Sequence, residues 1–402
     1  MDECTSTSRK QGLLPQEALQ EIFNLTPKKR IGIPKEAQPE TRLALTPEAV
    51  SVLTSMGFFI TVEKDAGLGI NYSDNRYAEA GARIASTHEE VMKNDIILKM
   101  LPPTLAEVQM LRPRSLLFSL VQFKDFSKVA YEAMIRKNID AIGYELMMDD
   151  EGVYPLMNAI SEIEGTTSIA IASYLLSNAE HGKGVLLGSI PGIVPTEVLI
   201  IGAGVAGTNA ARIALGMGAL VKVFDNDINR LRTIQQVLGQ NVYTSNFHPQ
   251  VLSKAFRSAD VVIGALRIIN VSNHYIISEE LVQEMKKGAL IIDLRVNQGA
   301  CFETTEAAFS SKHEIYEHCG VLHYCVPSIS RMVARTASMA FSNVLIENVL
   351  SLSNTCSIQA ALGCNSRLRN GMYLFKGKPV NDYVSSRFDT ISTDIGLFLS
   401  AF

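Results

Sequence analysis

Residues 195–225, PTEVLIIGAGVAGTNAARIALGMGALVKVFD, leave this chain little freedom in what it can fold into. A short apolar run at 197–201 has buried-strand character, and Gly202, Gly204 and Gly207 follow it at once. A helical stretch then runs to about Met217, and a second strand at 220–224 closes on Asp225. A βαβ unit accounts for that order. Gly202 permits the tight turn, Gly204 lets a backbone approach a pyrophosphate, and Gly207 lets helix and strand pack closely. A diphosphate can then sit on the unpaired N–H groups at the helix start. Asp225 is placed to accept hydrogen bonds from ribose hydroxyls, and its charge favours NAD over NADP because it would face a 2′-phosphate. Asp227 adds to that repulsion.

The 402 residues exceed one ordinary domain and predict two or three. A 47% hydrophobic content supports large cores, and a net charge of -4 provides no field for nucleic acid or an anionic membrane. There is no run of about 18 apolar residues, no basic run and no signal-peptide pattern, so a soluble cytoplasmic protein is expected. The cysteines Cys4, Cys301, Cys319, Cys325, Cys356 and Cys364 show no CxxC and no metal-ligand spacing with histidine. They read as free thiols, with no metal expected.

Residues 1–29 are polar and then amphipathic over 13–23, as expected of an N-terminal arm or docked helix. From Arg30 a regular alternation begins. Strands are expected at 30–34, 58–63, 95–101, 115–121 and 141–144. Helices fit at 46–56, where Thr46 precedes Pro47, and at 87–93, 105–111 and 126–137. Ser161-Glu162-Ile163-Glu164 has the form of a capping box opening a long apolar helix to about Asn178. Further strands are expected at 242–245, 260–266, 289–296 and 321–326, and a second long helix at 331–350. The tail, 356–402, reads as loops and short helices. The fold expected is α/β: two doubly wound, parallel-sheet, Rossmann-like domains joined by long helices, with a ligand cleft between them. The NAD-binding domain spans 156–329, and a substrate domain takes 30–155 with 330–402.

A hydride-carrying cofactor needs a substrate beside it. Arg42 lies in a loop after the first strand, and Lys99 sits near the end of an apolar strand, where a lysine needs a reason to be buried. Together they read as a site for a small carboxylate, which Arg can grip in bidentate fashion. The segments IGIPKEAQPETRLALTP, LKM, ISEIEG, IGAGVAGTNAARIALGMGA, DLRVNQGACFETT and VLHYCVPSISRMVARTAS come in the order and spacing of the alanine dehydrogenases. The chain resembles that family over roughly 30–350, with the NAD(H)-binding part of proton-translocating transhydrogenase as a relative.

The resemblance implies a homohexamer interconverting L-alanine with pyruvate and ammonium through NAD. It also implies that Arg42 and Lys99 bind substrate, and that Ser161, Val205, Ala206, Asp225, Arg230, Leu266 and the stretch with Cys325, Val326 and Ser328 contact the cofactor. Two positions depart from the family. Gln122 stands where a histidine is usual, and Asn297 where an aspartate is usual. Neither amide can carry a proton near neutral pH. General acid–base help is worth roughly 10²–10⁴ in rate, so Lys99 is the expected substitute proton carrier. The same departures keep open a protein that binds NAD(H) with little turnover, or a dehydrogenase for another small amino or 2-oxo acid. Glu303 could orient Asn297 or the cofactor amide. Of the histidines, His323 is expected in the core, and His88, His248 and His313 are expected to be solvated.

Overall fold

The chain is described from a computed structural model, which covers residues 29–121, 126–178, 182–266, 276–296, 300–306, 314–353 and 357–399. Among these residues it forms two sheets, of eight and seven strands. The first takes β1 (Arg30–Ile33), β2 (Phe59–Glu63), β3 (Arg83–Ala85), β4 (Ile96–Leu98), β5 (Leu116–Ser119) and β6 (Asp140–Gly143). The second takes β7 (Glu197–Ile201), β8 (Leu220–Phe224), β9 (Tyr243–Ser245), β10 (Val261–Gly264), β11 (Leu290–Asp293), β12 (Ile315–His318) and β13 (Val321–Tyr324). A hairpin from the far end of the chain, β14 (Met372–Phe375) and β15 (Lys378–Pro379), completes the first sheet.

The orders are β15-β14-β6-β5-β4-β1-β2-β3 and β12-β13-β11-β10-β7-β8-β9. Neighbours pair in parallel except at one edge of each sheet, where β14 and β15 run antiparallel, as does β12. The α/β reading therefore holds, with mixed rather than purely parallel sheets. The central strands are buried throughout, as strands covered by helices on both faces must be.

Three short helices bear on the site: α1 (Pro47–Ser55), α2 (His88–Met92) and α3 (Leu105–Met110). α1 starts where Thr46-Pro47 requires, with proline's fixed φ suited to the first turn. The long connector is α4 (Pro155–Leu176). It begins a turn and a half before the expected capping box, because Pro155 is pre-set for the first helical position and Leu156 and Ile160 continue the apolar pattern. Ser161 and Glu164 thus lie inside a buried helix rather than at its mouth. The helix stops at Leu176, a little short of Asn178.

The connector serves both halves. Leu156 and Ile160 join the first sheet's core with Ile31, Leu53 and Phe118, whereas Ile169, Ala172 and Leu175 join the second core with Val198, Ile200 and Ile263. The helix after the glycine turn, α5 (Val205–Gly216), packs against α4, and so do the short helical turn Ile329–Val333 and α7 (Ala334–Ser351). A further short helix, α6 (Glu279–Gln283), precedes β11.

At the α4–α5 crossing, a Cβ on Gly165 would stand 2.1 Å from the Ala206 carbonyl oxygen, so the two backbones touch. Gly165→Ala must push the helices apart. The expected loss of unfolding free energy is about 1–3 kcal/mol, read as a lower urea midpoint, and an unchanged midpoint would contradict the close packing.

Candidate dinucleotide and substrate cleft

β7 delivers the chain to Gly202, whose φ of 111° only glycine adopts freely and whose N–H donates to the Phe224 carbonyl at 2.7 Å. A Cβ there would meet the Leu266 nitrogen at 2.8 Å, and one on Gly207 would lie 1.9 Å from the Gly202 oxygen. Those two glycines are demanded by backbone contact. Gly204 differs: a Cβ there would meet nothing within 4 Å, and this residue caps α5 without a side-chain bond. An open cradle therefore lies before an uncapped helix start, where an anion is favoured.

Asp225, 3% exposed, is held at the rim by two amides, Ala203 N–H to Oδ2 at 2.8 Å and Asp227 N–H to Oδ1 at 2.9 Å. Each oxygen keeps acceptor capacity for a hydroxyl. Gly202 leaves β7 and Leu266 follows β10, on either side of the point where strand order reverses, which is where open α/β sheets bind ligands. These residues fit a dinucleotide.

The other expected cofactor residues spread around this point. Val205 and Ala206 begin α5, Ser161 is buried on α4 one turn before Gly165, and Arg230 Nε reaches back to Asp227 Oδ2 at 3.5 Å on the surface. Cys325, Val326 and Ser328 leave the carboxyl end of β13. Ser328 takes a left-handed conformation, φ 56°. The Cys325 sulfur lies 3.5 Å from the Tyr316 hydroxyl and 3.7 Å from that of Thr305, and burial pushes its thiol up to about 12. Gln122 and Asn297 lie outside the described residues, as do the N-terminal arm, His313, Cys4 and Cys356.

Arg42 is 2% exposed and already paired. Its Nε and Nη2 donate to Glu40 Oε1 and Oε2 at 2.9 and 2.6 Å, the bidentate arrangement a substrate carboxylate would use. Its Nη1 donates to Ser330 Oγ at 2.9 Å, and that hydroxyl donates to Glu164 Oε1 at 3.3 Å. The chain Arg42–Ser330–Glu164 thus ties the loop after β1 to the turn after β13 and to α4. Despite burial, the guanidinium holds the Glu40 carboxyl below its usual range, whereas burial raises that of Glu164.

Lys99 belongs to a different network. The residue is 4% exposed, and its Nζ donates to Glu107 Oε1 at 2.5 Å. Glu107 is the third residue of α3, and its other oxygen accepts the Thr104 N–H at 2.7 Å in a capping box. On the far side His88 Nε2 lies 3.3 Å from Glu107 Oε1, and His88 Nδ1 lies 2.7 Å from Glu63 Oε2. Arg42 and Lys99 each have a carboxylate of their own and are not in mutual contact. Buried Glu36 is near enough to feel both charges, its carboxylate accepting from the Met100 amide at 2.5 Å, and burial raises it to about 7.

Sequence reasoning missed Glu36, Glu40, Glu107 and Glu164. The one available signal was that a buried cation requires an acid nearby. It also misplaced His88, which is wedged between two carboxylates rather than solvated, because α2 and α3 both turn their first residues toward the end of β2. His323 is the expected core residue, bonded to Thr304 Oγ1 at 2.9 Å and the Val321 carbonyl at 3.0 Å. Glu303 accepts the Glu279 N–H at 2.8 Å and so braces the start of α6.

Residues 32–164 match the family described as "Alanine dehydrogenase/PNT, N-terminal domain", and 168–382 match its C-terminal domain. The chain is 35% identical over 361 residues to an alanine dehydrogenase of Methanococcus maripaludis, covering 89% of this chain and 96% of that one. It is 34% identical over 372 residues to one from Mycolicibacterium smegmatis, covering 92% and 100%. Among solved structures it superposes on an L-alanine dehydrogenase with TM-score 0.83 at 31% identity, over 90% of this chain and 99% of the other. A transhydrogenase from Sinorhizobium meliloti, at TM-score 0.74 and 22% identity over 88% and 100%, shares the fold.

The two carboxylates beside His88 raise its pKa to about 9, and His88 with Lys99 lowers Glu107 to about 2. A histidine raised in the folded state adds stability in full below its ordinary 6.5, and that stability is lost as pH climbs through 9. The difference in urea-unfolding free energy between the parent and His88→Asn should therefore be constant below that point and shrink from there toward pH 9. A difference independent of pH across that window contradicts the bridge.

Proposed function

The chain belongs to the alanine dehydrogenase/PNT family, and we propose that it is an NAD-linked oxidoreductase interconverting a small L-amino acid, L-alanine first, with its 2-oxo acid and ammonium. The observation that carries this reading is the glycine cradle ending on Asp225, set against α4 at Gly165, with a buried arginine from the other sheet's loop tied to the same helix through Ser330 and Glu164. The sheet-one segments, 30–155 with 330–402, form the substrate domain in this reading, and 156–329 the cofactor domain. The assembly is a homohexamer in the cytoplasm. Relatives named alanine dehydrogenase support the substrate, and Asp225 with Asp227 supports NAD over NADP.

Bound NAD supplies a hydride acceptor at its nicotinamide; the chain supplies placement and charge. Gly202, Gly204, Gly207, Val205 and Ala206 seat the diphosphate. Ser161, Arg230, Leu266, Cys325, Val326 and Ser328 line the remainder. Arg42 takes the substrate carboxylate in exchange for Glu40, and Lys99 polarises the oxo group. By the family resemblance, Gln122 and Asn297 stand at the positions where a catalytic histidine and aspartate are usual. With amides at those two positions, the proton is carried by Lys99 together with Glu36, whose carboxyl titrates near neutrality.

A second reading has its own observation. Both cations are already neutralised by carboxylates of this chain, as in a protein that holds NAD(H) without turning over a 2-oxo acid.

NADH consumption with pyruvate plus ammonium, beside a panel of 2-oxo acids and a calorimetric NADH titration, separates the two. The enzyme reading expects turnover, and tight NADH binding with no turnover on any acid establishes the second. If turnover is seen, Arg42→Gln should lower kcat/KM by roughly 10- to 100-fold, the worth of charged hydrogen bonds to the substrate. The neutral limb of the pH–rate profile should vanish in Glu36→Gln, and Lys99→Gln should lower kcat. A profile surviving both changes removes these groups from proton transfer.

A further inference from the structure

At the β12–β13 hairpin three side chains unrelated to the cleft converge. The turn is His318-Cys319-Gly320, with φ of 55° at Cys319 and 73° at Gly320, so it reverses in the tight form that favours Asn-Gly. Cysteine is an uncommon choice for a left-handed position. His318 Nε2 lies 3.1 Å from Glu279 Oε1, and Cys319 Sγ lies 3.5 Å from the same oxygen. The imidazole nitrogen, thiol sulfur and carboxylate oxygen all lie within 4.8 Å of one another. Gln283, one turn along α6, brings its amide to 3.4 Å from Glu279 Oε1.

We propose that Glu279, His318 and Cys319 form a three-ligand site for a borderline divalent transition metal, with zinc the best-suited ion. Bonds of about 2.0–2.3 Å to N, O and S put tetrahedral ligands roughly 3.3–3.8 Å apart. The spacings to Glu279 Oε1, 3.1 Å from His318 and 3.5 Å from Cys319, fall near that range, and the third lies within 4.8 Å. Two donors converging on one carboxylate oxygen leave a centre where one cation can replace both hydrogen bonds. Thiolate with imidazole selects zinc, cobalt or nickel over calcium or magnesium. Water, or the Gln283 amide oxygen after a flip, completes the shell.

On binding, the thiol proton leaves to solvent and the sulfur coordinates as thiolate, so affinity rises with pH. The ligands are pre-set on both sides: Gly288 N–H donates to the Gly320 carbonyl at 2.7 Å and holds the hairpin, and Glu279 N–H donates to the Glu303 carboxylate at 2.8 Å and holds the start of α6. The turn enters β13 at its amino end, whereas Cys325 and Ser328 leave from the carboxyl end. The metal therefore clips edge strand β12 to α6 without touching the cofactor cradle, and its test is independent of the reaction.

The test uses full-length protein stripped with chelator and then titrated with cobalt and zinc. One equivalent of cobalt should give a thiolate charge-transfer band that Cys319→Ser abolishes and zinc displaces. His318→Asn and Glu279→Gln should each weaken the zinc equivalent measured against a chromophoric chelator. Zinc should raise the melting temperature of the parent in a concentration-dependent way, and this rise should be lost in Cys319→Ser. Cys319 is exposed and Glu279 and His318 are half-buried, away from both cores, so the substitutions are near-isosteric changes outside the packed interior. A thiolate band that persists in Cys319→Ser, or binding unchanged by all three substitutions, places the metal elsewhere and overturns the proposal.

Discussion

The crossing of α4 and α5, where Gly165 meets the Ala206 carbonyl with no side chain between them, sets the geometry of everything else. α5 carries the amides of the glycine turn, and α4 runs from the core of one sheet into the core of the other. A bulkier residue at either point would displace the anion-binding end of α5 relative to Ser330, Glu164 and Arg42. Close backbone packing thus does what a loop linker could not: it makes the separation of cofactor and substrate residues a property of rigid helices.

Charge in the cleft follows a second constraint. Arg42 and Lys99 are buried too deeply to remain unpaired, so each has recruited a carboxylate through local structure. Glu40 reaches Arg42 from two residues away. Glu107 reaches Lys99 because a capping box fixes its rotamer, one oxygen stabilising the start of α3 and the other facing the ammonium. A ligand carboxylate must compete with Glu40 for the guanidinium, which ties binding to an exchange of partners. Breaking such a pair by removing either charge leaves the other stranded, so every substitution here also reports the cost of an unpaired buried ion.

The glycine turn and Asp225 were legible because two close backbone contacts, the open position at Gly204 and one carboxylate leave a fixed pattern in sequence. α1 was legible from Thr46-Pro47. The start of α4 was not, because the Ser161-Glu162-Ile163-Glu164 pattern imitates an N-terminus while Pro155 is the true one. β12, β14 and β15 were missed since short antiparallel edges carry little periodicity. The carboxylates around Arg42 and Lys99 were hidden for a different reason: Glu36 and Glu164 are brought to the cleft by packing of distant elements, and the Thr104–Glu107 capping-box spacing marks a helix start without showing that Lys99 lies against it. His88 shows the same effect, since a histidine at a polar helix start gives no sign of the two acids folded against it.

The C-terminal hairpin makes the first sheet discontinuous in sequence: the amide of Lys376 bonds the carboxylate of Asp140, 236 residues earlier, and β14 pairs with β6. On the ribosome, the strands that emerge first must wait with one edge uncovered while all of the second sheet, contiguous from β7 to β13, is made and can close on itself. The half of the molecule that begins synthesis is thus the half that finishes folding last, and the nascent chain must keep that open edge from pairing with a neighbour until its final strands arrive.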